Sequence, residues 1–318
     1  MPAAATHQDL GHGITLIDAQ IQRPGLAACY LIQEGDRAAF VETGTALSVP
    51  GLLEVLELKG IGRDQVDYVI PTHVHLDHAG GAGALMRHLP QARLVIHPRG
   101  ARHMIDPSKL IAGAAAVYGE EAMARMFGEI LPIPEERVIQ AADGDTVSLN
   151  GRTLTFLDTP GHAKHHFSVV DEMGHGVFSG DTFGLSYREF DTNRGAFALP
   201  TTTPVQFDPD ALHASVDRLV DQGLEYMYLT HYGRVGNLAR LQAEQHELID
   251  AYVDMAREHG DTGEGRHEAL VEEMMTLLVK RLRAHGCDLP EPRIRELLGM
   301  DVELNVQGLE FWVDQAKG

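Results

Sequence analysis

The apolar positions of the chain fall into short strand-like runs through its first two thirds and into helical spacing at its end. The runs ITLIDAQI (14–21), AACYLIQ (27–33) and RAAFVET (37–43) have strand character, and the turn-like EGD between the last two predicts an antiparallel start. Residues 46–60 carry a helical pattern that ends at glycine, and the buried-strand run VDYVIPT (66–72) follows. Helix is predicted again over 79–89 and a buried strand over 92–98. From 98 to 131 the pattern is helical, rich in Ala, Met and Glu, and reads as a helical insertion.

After the Pro-punctuated LPIPEERV, short strands are predicted at DTVSLNG, RTLTFLDTP, HHFSVVDE and HGVFSGD, which makes a second sheet the natural assignment. A helix at 209–223 and a strand at 224–231 complete an α/β body over residues 1–235. Beyond Gly236 only helical periodicity remains, so 236–318 reads as a C-terminal helical extension. Its apolar faces form a core of their own on this reading. A cover over the first domain, a substrate entrance and a homodimer surface are the alternatives.

At 318 residues and 44% hydrophobic composition, the chain has enough apolar surface for one large core or two smaller ones. Its net charge of −20, from 46 acidic and 26 basic residues, opposes phosphate backbones and anionic lipid. Neither nucleic acid nor a membrane is therefore expected as a partner. No window approaches ~18 uninterrupted apolar residues, and MPAAATHQDLGHG lacks the regions of an export signal. A soluble, cytoplasmic protein is the expectation. Cys29 and Cys287 belong to no CxxC pair and read as small buried hydrophobes.

Chemistry concentrates in THVHLDHAGG, residues 72–81. In an extended loop, residues i and i+2 point the same way, so His73 and His75 can grip one ion together. Asp77 and His78 can then turn toward a second ion as the chain enters a helix. Three further candidates, His162 in TPGH, Asp181 in SGD and His231 in LTH, each follow a predicted strand in a Gly-bearing turn. Singly, such residues are ordinary turn formers; together, at the strand ends of an α/β body, they mark a site.

The motif H-x-H-x-D-H at 73–78, with His162, Asp181 and His231 in their TPGH, SGD and LTH contexts, resembles the metallo-β-lactamase superfamily over residues 14 to about 235. The resemblance implies an α/β fold, a four-layer αββα sandwich, with two divalent metal ions at one edge. His73, His75 and His162 would hold the first metal and Asp77, His78 and His231 the second, with Asp181 bridging both. Imidazole and carboxylate ligands suit Zn, Fe or Mn, with zinc placed first here. Two cations flanking one water would lower its pKa and present hydroxide to an electrophilic carbonyl or phosphoryl centre. Asp77 and Asp181 are accordingly the candidate catalytic ligands. Tyr232 is a candidate donor to the oxyanion and Arg188 a candidate carboxylate clamp.

The expected activity is hydrolysis of a small-molecule substrate, an ester, thioester or lactone, with phosphoesters less favoured because the chain is so acidic. The alternative is a non-hydrolytic di-iron protein that binds or reduces dioxygen. Flavodiiron proteins share the fold but usually have glutamate in place of His75, which favours hydrolysis. Having His231 and no Cys in the second-metal set departs from the best-known zinc β-lactamases, so β-lactam hydrolysis is discounted. VETG (41–44) resembles the family's Asp-Thr-Gly turn with Glu42 one methylene longer, which leaves open either a supporting role or a plain turn. GHAKHHFS departs from the glyoxalase-II-like GHTxGH pattern. Lys164, His165 and His166 read as structural neighbours of the ligand, with substrate contact as the alternative. Tyr187 and the histidines at 97, 103, 175 and 213 read as packing or surface residues.

Overall fold

Short blocks of β-branched and aromatic residues build two sheets. In the computed structural model, which describes residues 5–202, 205–260, 263 and 265–316, the first sheet begins as an antiparallel meander. Its strands are β1 (His7–Gly11), β2 (Ile14–Asp18), β3 (Ala28–Glu34) and β4 (Arg37–Val41). It continues in parallel through β5 (Val66–Ile70), β6 (Arg93–Ile96) and β7 (Val138–Gln140), in the order β1 to β7. Parallel neighbours need crossovers. These are supplied by α1 (Val49–Leu58), the short α2 (Leu76–Ala79) and α3 (Ala82–Met86), then α4 (Pro98–Ile105), α5 (Ser108–Tyr118) and α6 (Glu120–Phe127).

The second sheet has the order β13-β12-β11-β10-β9-β8. It comprises β8 (Thr146–Leu149), β9 (Arg152–Asp158), β10 (Phe167–Asp171), β11 (Gly176–Gly180), β12 (Tyr226–Leu229) and β13 (Gly233–Val235). Helix α7 (Pro209–Val220) lies between β11 and β12 in the chain, and α8 (Leu238–Glu258), α9 (Arg266–His285) and α10 (Glu291–Gln315) follow. The described residues fall into two compact units that interleave along the chain. The first comprises residues up to Asp158, His165–Gly180 and Leu224–Arg234; the second comprises Thr159–Lys164, Asp181–Gly223 and the residues from Val235 onward.

Within the first unit, inward-facing residues of both sheets share one core. Leu16, Tyr30, Val41 and Val95 come from the first sheet, and Phe156, Phe167, Phe178 and Tyr228 from the second. Each aromatic buried there contributes roughly 1.5–3 kcal/mol by leaving water. Tyr30 reconciles its hydroxyl with this core by donating to the Leu229 carbonyl.

The structure departs from the sequence expectation in four places. The helix expected over 79–89 is split into α2 and α3 around Gly80 and Gly81. At Gly81 the N–H donates to the Gly44 carbonyl at 2.9 Å, and a Cβ there would sit 2.6 Å from the Thr45 carbonyl oxygen. Only glycine permits that approach. The edge strands β1, β7 and β13 carry too few apolar residues to announce themselves: β1 buries only Leu10, and β7 and β13 are three residues each. The first four residues of the N-terminal segment, and residues 317 and 318 of the last helical run, lie outside the described residues.

In the second unit, α8, α9 and α10 bury their apolar faces against one another, with Ile249, Leu278, Leu282, Leu298, Val302 and Leu309 fully buried. They also brace the loop after Asp181. Gln245 of α8 donates to the Phe183 carbonyl, and Asn305 of α10 accepts from the Thr202 N–H at 2.7 Å and donates to the Pro200 carbonyl. No helix among the described residues is long and apolar enough to cross a membrane.

Candidate metal centre

Strand β5 delivers the chain into the loop that carries His73 and His75, and α2 then presents Asp77 and His78. His73 and His78 are fully buried. His73 Nε2 and His75 Nδ1 meet at 2.8 Å, so the two rings offer one nitrogen each to a common point. Strand β12 ends just before His231, which belongs to the same unit.

The hydrogen bonds behind these rings decide what their front faces can do. A backbone carbonyl only accepts, so the 2.9 Å contact between His231 Nδ1 and the Leu26 carbonyl places the ring proton on Nδ1. Nε2 is then a lone pair, and it faces Asp77 Oδ2 at 3.3 Å. His78 repeats the arrangement: Nδ1 donates to Glu42 Oε1 at 3.0 Å, and Nε2 lies 3.5 Å from the same Asp77 oxygen. Protonating both rings would place two like charges around one carboxylate, one of them on a ring with no exposure. A single cation satisfies all three donors, whose ligand atoms lie within 4.8 Å of one another.

His73 is held by a relay. Thr72 donates its hydroxyl to Glu42 Oε1 at 2.6 Å, so its oxygen accepts from His73 Nδ1 at 3.1 Å and leaves Nε2 as the ligating atom. The second unit contains His162 and Asp181 in the same relation. Thr201 donates to the Asp181 carbonyl and accepts from His162 Nδ1 at 2.8 Å, and His162 Nε2 faces Asp181 Oδ2 at 3.4 Å. Imidazoles backed at Nδ1, with Nε2 turned to carboxylates, form a donor set that fits Zn, Fe or Mn.

Glu42, a turn residue in the sequence, is the hub of the first unit's candidate ligands. Its side chain is buried, its φ is +64°, and it accepts from the Thr72 N–H and hydroxyl, from His78 and from the Thr230 hydroxyl. Thr72, Thr201 and Thr230 escape a reading of the sequence because threonines beside ligands are common. The VETG turn was the visible signal. Glu42→Gln keeps the shape and replaces a four-way acceptor by a mixed donor and acceptor. It is expected to weaken metal binding roughly 10–100-fold, the usual effect of losing such a partner. Competition against a chromophoric chelator measures this, and unchanged affinity would refute the role.

The remaining candidates make contacts of their own. Tyr232 packs its ring against the inter-sheet core. Tyr187 is buried and donates to the Asp301 carboxylate at 3.0 Å, while Arg188 donates to the Ser186 carbonyl at 2.7 Å and lies 3.3 Å from Asp191. Lys164 is exposed and His166 fully buried, its ring centroid 4.9 Å from that of His73. His165 is 9% exposed; burial first, then His75, His103 and His97, push its pKa down to about 3, so the ring is neutral. His97 caps α4 and meets Asp158 at 3.1 Å, His103 accepts from Arg102, and His175 lies against His12. Cys29 is buried, which raises its thiol pKa, and Cys287 is buried as well.

Comparison with known proteins agrees with these motifs. ST1585 of Sulfurisphaera tokodaii, a metallo-β-lactamase fold-containing protein, is 24% identical over 220 residues, 68% of this chain and 76% of its own. The ST1585 crystal structure matches with a TM-score of 0.65 at 20% identity, covering 93% of this chain and 98% of that one. A hydroxyacylglutathione hydrolase of Aeromonas hydrophila is 29% identical over 213 residues, 66% of this chain and 62% of its own. The human acyl-coenzyme A thioesterase MBLAC2 is 27% identical over 188 residues, 55% of this chain and 65% of its own. The chain thus spans less than two thirds of either of those two enzymes. The metallo-β-lactamase superfamily model matches residues 23–231, and with two sheets followed by C-terminal helices in the fold of that family, the chain belongs to the metallo-β-lactamase superfamily.

Proposed function

We propose that the chain, a metal-dependent hydrolase, holds two divalent metal ions and cleaves a small thioester, with simple esters and lactones as secondary substrates. The observation that carries this reading is the set of imidazoles whose Nδ1 protons are engaged behind the ring and whose Nε2 lone pairs face carboxylates. On this reading His73, His75 and His162 hold one ion, Asp77, His78 and His231 the other, and Asp181 both. When bound, the ions supply Lewis acidity and bring the pKa of a water toward neutrality.

The chain's own residues do the rest. Glu42, the Leu26 carbonyl, Thr72 and Thr201 fix the tautomers of His78, His231, His73 and His162, so these four rings need not reorient when the ions bind. Asp77 and Asp181 supply the negative charge that holds the ions in place. The preference for thioesters is supported by the hydroxyacylglutathione hydrolase and acyl-coenzyme A thioesterase among the relatives.

The test is elemental analysis of protein purified without added metal, together with turnover of a panel of acyl thioesters, esters and lactones. About two zinc ions per chain, no visible colour and fastest turnover of thioesters are expected. Iron at that stoichiometry, absorption that changes on exposure to oxygen and no turnover of any panel member would overturn the reading in favour of a di-iron protein.

A further inference from the structure

Away from the candidate metal centre, two histidines of the second unit face each other across neighbouring helices. His213 lies on α7 and His246 on α8, each side chain about a quarter exposed, at 26% and 27%. Each has a carboxylate behind it: His213 Nε2 lies 3.1 Å from Asp250 Oδ1, and His246 Nε2 lies 2.7 Å from Asp217 Oδ1. A carboxylate accepts, so both rings carry their proton on Nε2. Gln242 donates to the same Asp217 oxygen at 2.7 Å, which keeps that oxygen acceptor-only.

Both Nδ1 atoms are then lone pairs. They point at each other at 2.5 Å across rings stacked with centroids 4.8 Å apart. Two lone pairs do not hold that approach unaided; a proton shared between them or a metal cation bound by both accounts for it. Flipping either ring would relieve the contact only by giving up its carboxylate bond. The carboxylate–histidine pair is also the arrangement that orients metal-ligating imidazoles and raises their basicity, and here it occurs twice, on facing rings.

We infer that His213 and His246 form a further metal site, taking a divalent transition-metal ion such as Zn²⁺ through their two Nδ1 atoms, with water completing the coordination. Nothing in this inference depends on the hydrolase reading. A tetrahedral ion with nitrogen ligands at about 2.0–2.1 Å sets two nitrogens roughly 3.3 Å apart, so binding would part the two rings by somewhat under ~1 Å from their 2.5 Å approach. The exposure of both rings leaves room for solvent ligands, and the ion would tie α7 to α8.

Equilibrium dialysis of the metal-replete protein against Zn²⁺, followed by elemental analysis, tests the site. The wild-type chain is expected to take up one more ion than its resident complement. His213→Gln and His246→Gln should each lose that ion, and Asp250→Asn should weaken it roughly 10–100-fold. Asp181→Ala should leave this uptake unchanged, which separates the site from the principal centre. No additional uptake by wild type, or uptake that survives both histidine variants, overturns the proposal. A contact that merely shares a proton gives the first of these results, together with thermal stability that varies with pH and not with Zn²⁺.

Discussion

Asp181→Ala is expected to leave a folded chain that has lost metal and on the order of 10³-fold in turnover, the several kcal/mol that a Lewis-acidic ion contributes to such a transition state. Folding should survive because the local anchors at position 181 are main-chain. The Asp181 carbonyl accepts from the Thr201 hydroxyl and from the Gly184 N–H, and alanine keeps both bonds. The side chain lies 3.4 Å from His162 Nε2. Elemental analysis and circular dichroism of the same preparation separate the two effects. Full activity with metal still bound would remove Asp181 from the ligand set.

The largest expected loss of stability belongs to a buried ion pair of the first unit. Arg152 on β9 and Asp171 on β10 are 1% and 0% exposed, and the guanidinium grips the carboxylate through Nε at 2.9 Å and through Nη2. Arg152 also donates to the His12 carbonyl at 2.7 Å, which ties the hairpin of β1 and β2 to the second sheet. Asp171→Ala would strand a guanidinium that cannot give up its proton, at a cost of about 3–5 kcal/mol. The pair as a whole contributes much less, because both charges were desolvated to make it. A double variant, Arg152→Met with Asp171→Leu, should therefore recover most of the loss. Urea unfolding measures both, and an unchanged midpoint for Asp171→Ala would show that the guanidinium does not depend on this partner.

The candidate ligands are legible in the sequence because metal chemistry restricts the residue types, and because a strand running into a loop places them at predictable spacing. Their supports are not. Glu42 and Thr230 meet across 188 residues of sequence, and no periodicity reports a contact of that separation. The C-terminal extension gives a similar contrast: its helices are plain in the heptad-like spacing of Leu, Ile and Val. Asn305, on an otherwise apolar face, shows its use only when Thr202 and Pro200 are found against it.

The sequence by itself determined the α/β class, the family and the residues that could ligate metal, since burial periodicity and ligand type are local properties of the chain. Tertiary structure alone decided which ring nitrogen of each histidine is available, where the helix after the H-x-H-x-D-H motif breaks, and which short polar segments become edge strands. A ring's tautomer is set by whatever lies behind it, and an edge strand is stabilised by the neighbour it pairs with. Both partners are distant in sequence and are brought together only by packing.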